Sequence, residues 1–114
     1  MQITIWHNPR CSKSRQTLKL LEDRGVDPEI RRYLEDSPSA QEIRDVLKQL
    51  GIGADKLVRR QEKLFKELTL DSQSTEDELI EAMASHPKLI ERPVVITPNG
   101  AALGRPPEAV LEIL

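Results

Sequence analysis

Cysteine is nearly absent from this chain: Cys11 is the only one among 114 residues. One thiol excludes an intrachain disulfide and a cysteine-built zinc site. Aromatic residues are also scarce. Trp6, Tyr33 and Phe65 make up 3% of the chain, so the core has to be assembled from Leu, Ile and Val. Neither sign of charge dominates, with 17 basic and 19 acidic residues and a net charge of -2. That balance gives no general attraction for nucleic acid or an anionic membrane, and neither is expected as a partner. Any anion site must come from a local cluster of arginines. No apolar run reaches the ~20 residues needed to span a bilayer. The opening Met1-Gln2-Ile3-Thr4-Ile5 runs straight into a strand, without the basic and long apolar segments of an export signal. These absences predict a cytoplasmic protein, in which a lone thiol stays a thiol. The length and the 38% apolar content suit one soluble domain over residues 1–114, expected as a monomer.

What is present reads as alternating strands and helices. Residues 2–6 alternate polar and apolar and are rich in β-branched side chains, the pattern of a strand. A helix is predicted from Ser12 to Arg24, with Leu18, Leu20 and Leu21 on its apolar side and Gly25 as its stop. Residues 28–34 predict a second strand, with Ile30, Arg32 and Leu34 on one side and Arg31 and Tyr33 on the other. Ser39 and Glu42 form a capping box for a helix that carries Ile43, Val46, Leu47 and Leu50 and ends at Gly51. Residues 53–85 read as helical throughout, with a second capping box at Thr75 and Glu78. The acidic run Glu76-Asp77-Glu78 is expected to be a solvated helix start. Val94-Val95-Ile96-Thr97 is a strong strand, Pro98-Asn99-Gly100 a hairpin turn, and Ala101–Gly104 its partner strand. A last helix is expected over Glu108–Leu114, opened by Pro106 or Pro107. With the helical block set aside, the order is βαβ followed by ββα. The predicted fold class is therefore α/β: a thioredoxin-like three-layer fold with a mixed four-stranded sheet, helices on both faces, and a helical insertion over about 53–88.

Cys11 falls in the first strand-to-helix turn of that plan, within His7-Asn8-Pro9-Arg10-Cys11-Ser12-Lys13-Ser14-Arg15. A thiol at a helix start faces unpaired backbone N–H groups at the positive end of the helix dipole, which favour thiolate. The same N–H groups can receive an oxyanion. A buried structural cysteine is the plain alternative. The polar and basic surroundings, with Arg10, Lys13 and Arg15 adding positive potential, point instead to a nucleophile. Ser14 stands where a Cys-x-x-Cys pair would have its second cysteine, so an oxidised Cys11 must be resolved by an outside thiol. Ser12 and Ser14 read equally well as helix caps. His7 has two readings, a base or cation that tunes the thiol and a turn-end residue that orders the loop. Arginine suits forked recognition of a tetrahedral oxyanion. Arg92, beside the candidate cis residue Pro93, and Arg105, before Pro106-Pro107, sit at strand ends. Arg59 and Arg60 lie near the end of a short helix. Arg24, Arg31 and Arg44 read as solvated surface charges.

Four segments together resemble the glutaredoxin-coupled arsenate reductase family over essentially the whole chain. They are residues 3–15, Leu57-Val58-Arg59-Arg60, residues 90–98, and Leu103-Gly104-Arg105-Pro106-Pro107-Glu108. The resemblance implies that Cys11 attacks arsenate, that Arg59, Arg92 and Arg105 line the oxyanion site, and that His7 and Ser14 tune the thiolate. It further implies a cis Arg92-Pro93 bond, glutathione as co-substrate, glutaredoxin as reducing partner, and no bound cofactor or metal. Some members carry a cysteine where this chain has Gly104, which leaves a one-cysteine mechanism intact. The wider superfamily includes regulators that bind RNA polymerase, usually with Cys-x-x-Cys where this chain has Cys11-Ser12-Lys13-Ser14. A monothiol, glutathione-dependent oxidoreductase with another substrate is the second alternative.

Overall fold

A computed structural model describes residues 2–114; Met1 lies outside the described residues. The chain forms two compact units, one of residues up to Asp36 with Arg92–Leu114 and the other of Ser37–Glu91.

The first unit carries strand β1 (Thr4–Trp6), helix α1 (Ser12–Asp23) and strand β2 (Glu29–Arg31). The chain returns to this unit for its remaining two strands, Val94–Thr97 and Gly100–Leu103, and a 3-10 segment, Pro107–Ile113. The sheet is mixed. Taking the returning strands as β3 and β4, its order is β2-β1-β3-β4. β1 runs parallel to β2, with Trp6 opposite Arg31, and antiparallel to β3, with Trp6 opposite Val94. Parallel pairing requires a crossover, which α1 supplies. Ile3, Ile5, Leu21, Val95 and Val110 bury one core, joined by Leu18 and Leu20 of α1 and Ile113 of the 3-10 segment. This is the thioredoxin-like α/β arrangement.

Local departures from the sequence reading have local causes. β2 is shorter than predicted because the Arg32 carbonyl accepts the N–H groups of Glu35 and Asp36, both at 2.9 Å, and turns the chain. The alternation is as read, but Tyr33 is the buried side while Ile30 and Leu34 stay 47% and 43% exposed. Arg31 is not a solvated charge: its guanidinium lies 5.9 Å from the Trp6 ring centroid and its Nε donates to the Asp36 carbonyl at 3.1 Å. In the β3–β4 hairpin Thr97 pairs with Gly100, so Pro98-Asn99 is the loop. Gly100, at φ 137°, opens β4 one residue earlier than expected. The C-terminal segment is 3-10 rather than α-helical, and Thr97 Oγ1 holds its end through the Ile113 carbonyl at 2.7 Å.

Gly104 is required by close approach. A Cβ there would collide with Thr17 Oγ1 and come within 2.6 Å of Pro93 Cγ. Gly104→Ala is expected to cost about 1–3 kcal/mol by overpacking, read as a lower urea midpoint with an unchanged slope. A wild-type midpoint would show that the Pro93 ring yields without cost.

The second unit is helical: α2 (Ala40–Leu50), α3 (Ala54–Leu57), α4 (Lys63–Glu67), α5 (Glu76–Ser85) and a 3-10 turn, Pro87–Leu89. Both capping boxes form, Ser39 with Glu42 and Thr75 with Glu78, and Gly51 ends α2 in the left-handed region at φ 70°. The insertion expected over 53–88 is helical as read. Its compact unit is larger, however, because α2 packs on α5 and joins it. The acidic start of α5 is partnered rather than merely solvated. Glu76 accepts the Ala54 N–H at 2.9 Å, and Asp77 pairs with Arg44 at 3.1 Å, so Arg44 is also engaged. An antiparallel bridge of Val58 with Ile90 places Arg59 beside Glu91.

Candidate active site

The turn between β1 and α1 builds the site in the first unit. The Asn8 carbonyl accepts the Cys11 N–H at 3.0 Å and its Oδ1 accepts the Arg10 N–H at 3.0 Å, closing the turn around Pro9. The Arg15 guanidinium donates back to the Pro9 carbonyl at 2.9 Å. Cys11 thereby becomes the N-cap of α1 in an extended conformation, φ -93° and ψ 124°. Its sulfur makes no formal capping hydrogen bond; the first-turn N–H groups act on it as donors to developing negative charge. Cys11 is only 9% exposed.

Burial raises the pKa of this thiol. The Ser14 N–H, the hydrogen bond and charge of the Arg92 guanidinium, and the Lys13 N–H act the other way and win, so Cys11 titrates below its ordinary value. Arg92 reaches it from the start of β3, whose register against β1 sets Val94 opposite Trp6. Arg105 is tied to the same place, its Nε donating to the Arg92 carbonyl at 2.9 Å. The Arg92-Pro93 bond is cis, as the resemblance implied, and so is Arg105-Pro106, which the sequence reading did not anticipate.

Ser14 is fully buried and does not cap the helix. Its hydroxyl lies 2.6 Å from His7 Nδ1 and accepts the Asn8 N–H at 3.0 Å. The imidazole tautomer sets which partner donates in the His7 contact. Burial, then the charges of Arg32 and Arg15, hold the His7 pKa below its ordinary value. His7 is therefore neutral near pH 7, and its contact with the loop is made through the Ser14 hydroxyl. Ser14→Ala would leave the Asn8 N–H and His7 Nδ1 without this partner. The expected cost is about 1–3 kcal/mol, seen in urea unfolding, together with a displaced His7 ring resonance in a pH titration. Unchanged stability and ring resonance would show that this buried contact contributes nothing.

Arg59 belongs to the helical unit. Its guanidinium is held by Glu62 at 3.1 Å and Glu91 at 3.8 Å, and Lys88 pairs with Glu62 at 3.4 Å. Arg60 is exposed, with Asp55 at 4.0 Å. Among the described residues, no group of three or more His, Cys, Asp or Glu side chains could hold a metal ion. No helix among them is long and apolar enough to cross a membrane. Asn8 was missed as a loop organiser, although Asn-Pro is a turn signal that could have identified it. The acidic partners of Arg59 left no local sequence signal beyond the i,i+3 spacing of Glu62.

In this site a thiol inclined to ionise faces helix N–H groups and a guanidinium, an arrangement able to bring an anionic nucleophile and an oxyanion together. The sequence matches the ArsC family over residues 6–113. It is 54% identical to the uncharacterized Escherichia coli protein YfgD, covering 99% of this chain and 97% of that one. It is 47% identical to an arsenate reductase of Haemophilus influenzae, with both chains fully covered. The structure of an arsenate reductase from Vibrio cholerae, 53% identical, superposes with a TM-score of 0.96 over 100% of this chain and 98% of that one. With its single cysteine at the start of α1 and its sequence matched almost end to end, this chain belongs to the ArsC family.

Proposed function

We propose that this chain is a cytoplasmic arsenate reductase that uses Cys11 as nucleophile and takes its electrons from glutathione and glutaredoxin. What carries the reading is the Arg92 guanidinium acting on the Cys11 thiol, whose pKa it helps to hold below the ordinary value. A disulfide substrate has no charge for that guanidinium to neutralise, whereas an arsenate does.

Arsenate is received by the first-turn N–H groups of α1 with Arg92 and Arg105, and the family pattern adds Arg59. The Cys11 thiolate attacks arsenic. A sulfur–arsenic bond forms, an arsenic–oxygen bond breaks, and the departing oxygen leaves as water after taking up protons. Glutathione then displaces a second arsenic oxygen, which leaves as water, giving a mixed Cys11–arsenic–glutathione species. A glutaredoxin thiolate attacks the glutathione sulfur; the electron pair of that sulfur–arsenic bond passes to arsenic, which goes from As(V) to As(III), and a glutaredoxin–glutathione disulfide leaves. Water displaces Cys11 from As(III), which releases arsenite and frees the thiol, so the cycle needs no second cysteine in the chain. His7 and Ser14 keep the loop and the first-turn N–H groups in register with the sulfur.

The test is NADPH oxidation coupled through glutathione reductase, glutathione and glutaredoxin. Oxidation that depends on both arsenate and this protein is expected. Its absence under conditions where a known arsenate reductase is active would overturn the reading.

A further inference from the structure

The Arg59 guanidinium is gripped by two carboxylates within the helical unit. Its backbone is fixed first. The Arg59 N–H donates to the Leu89 carbonyl at 2.7 Å and the Glu91 N–H to the Leu57 carbonyl at 2.8 Å, on either side of the Val58–Ile90 bridge. The Glu62 N–H donates to the Arg59 carbonyl at 3.2 Å, closing a turn that brings Glu62 back beside Arg59. Glu62 Oε2 then accepts Arg59 Nη1 at 3.1 Å, and Glu91 Oε1 lies 3.8 Å from Arg59 Nε. The other Glu62 oxygen pairs with Lys88 Nζ at 3.4 Å. The Arg59, Glu62 and Glu91 side chains are 24%, 18% and 25% exposed, so this is no solvated surface pair.

A guanidinium is planar and its N–H groups stand in a fixed fork. Anchors on two of its nitrogens therefore set the direction of the third. Among the described residues, Arg59 Nη2 has no hydrogen-bond or ion-pair partner. Net attraction does not explain the arrangement. Arg59 and Lys88 offset Glu62 and Glu91, so the charges of the network sum to zero. What the carboxylates add is direction. A donor already oriented loses less freedom when its acceptor arrives.

We propose that Glu62 is a positioning residue for oxyanion binding: it fixes the Arg59 guanidinium so that Nη2 is presented to arsenate. The inference rests on the reading that Arg59 receives arsenate, and extends it to a residue outside the arginine set.

In wild type, the Nη resonances of Arg59 should be resolved from one another, as restricted rotation about the Nε–Cζ bond requires. Averaged resonances would overturn the proposal without any variant. In arsenate reduction, Glu62→Ala should raise KM for arsenate about tenfold and leave kcat within about twofold, the mark of lost binding rather than lost chemistry. Glu62→Gln keeps an oxygen for Nη1 and should hold KM within about threefold of wild type. In an Arg59→Ala background, Glu62→Ala should add nothing, because its effect passes through that guanidinium. A purely structural Glu62 would instead lower the thermal midpoint and change KM equally in both backgrounds. The same cycle can be run without turnover, as an amide NMR titration with sulfate, an unreactive tetrahedral dianion. Additive effects or an unchanged KM would overturn the proposal. So would a lower KM in Glu62→Ala, which would show the carboxylate competing with the oxyanion. If wild type does not reduce arsenate, the function reading fails, and the sulfate cycle alone decides whether Glu62 acts through Arg59.

Discussion

Cys11→Ser is expected to abolish arsenate-dependent NADPH oxidation, a loss of about 10³-fold or more. A serine hydroxyl in the same position stays protonated near neutral pH, so the donors around it have no anion to stabilise. The chain holds no second cysteine to take over. The substitution is nearly isosteric at a site 9% exposed, so the fold should survive and circular dichroism should match wild type. Turnover that persists in a folded Cys11→Ser protein would remove the thiol from the mechanism. In wild type, the pH profile of alkylation by iodoacetamide should show a midpoint below that of an ordinary cysteine, in keeping with the lowered pKa of Cys11.

Arg92→Ala should produce the next largest effect. The guanidinium gives Cys11 both a hydrogen bond and a favourable charge. Hydrogen bonds to charged groups contribute about 1.5–3 kcal/mol, so turnover is expected to fall about ten- to hundredfold from the thiolate alone. Without Arg92 the Cys11 pKa rises toward its ordinary value, and the alkylation midpoint moves to higher pH. Stability follows the same sign. A thiol with a depressed folded pKa contributes stability that is present above the unfolded pKa and lost as pH falls through the folded one. The window between the two should narrow in Arg92→Ala, measured by urea unfolding across pH. Arg92→Lys should restore the charge but not the planar fork, and so recover the alkylation midpoint better than turnover. An unmoved midpoint in Arg92→Ala would show that the helix N–H groups alone lower the pKa.

Several features of the fold are legible because their causes are local. The capping boxes at Ser39 and Thr75, the left-handed Gly51 and the period of Ile43, Val46 and Leu47 each act within one or two helical turns. The first strand-to-helix turn is legible for the same reason, since Pro9 and the polar run after it mark a helix start at Cys11. Errors arose where a residue's partner is remote in sequence or a competing bond is strong. Arg31 was taken for a solvent-facing charge because nothing nearby in the sequence announces Trp6 as its neighbour. The length of β2 was overread because alternation continues past Arg31, although the turn at Arg32 has already ended the pairing.

By itself, the sequence determined that one thiol stands at a helix start with no internal partner, and hence that any oxidation cycle must borrow a thiol. It also placed the arginines at strand ends, although only resemblance gave them a common purpose. The tertiary structure decided that Arg92 reaches Cys11, through the β1–β3 register, and that Arg105 is tied to the Arg92 carbonyl. It also decided that Ser14 holds His7 and Asn8 rather than capping the helix. The division has one physical reason. Backbone propensity and capping act between neighbours in sequence, as do the Ser14 and Lys13 N–H groups at the sulfur, whereas the Arg92 guanidinium is brought to it from the far end of the chain by sheet pairing.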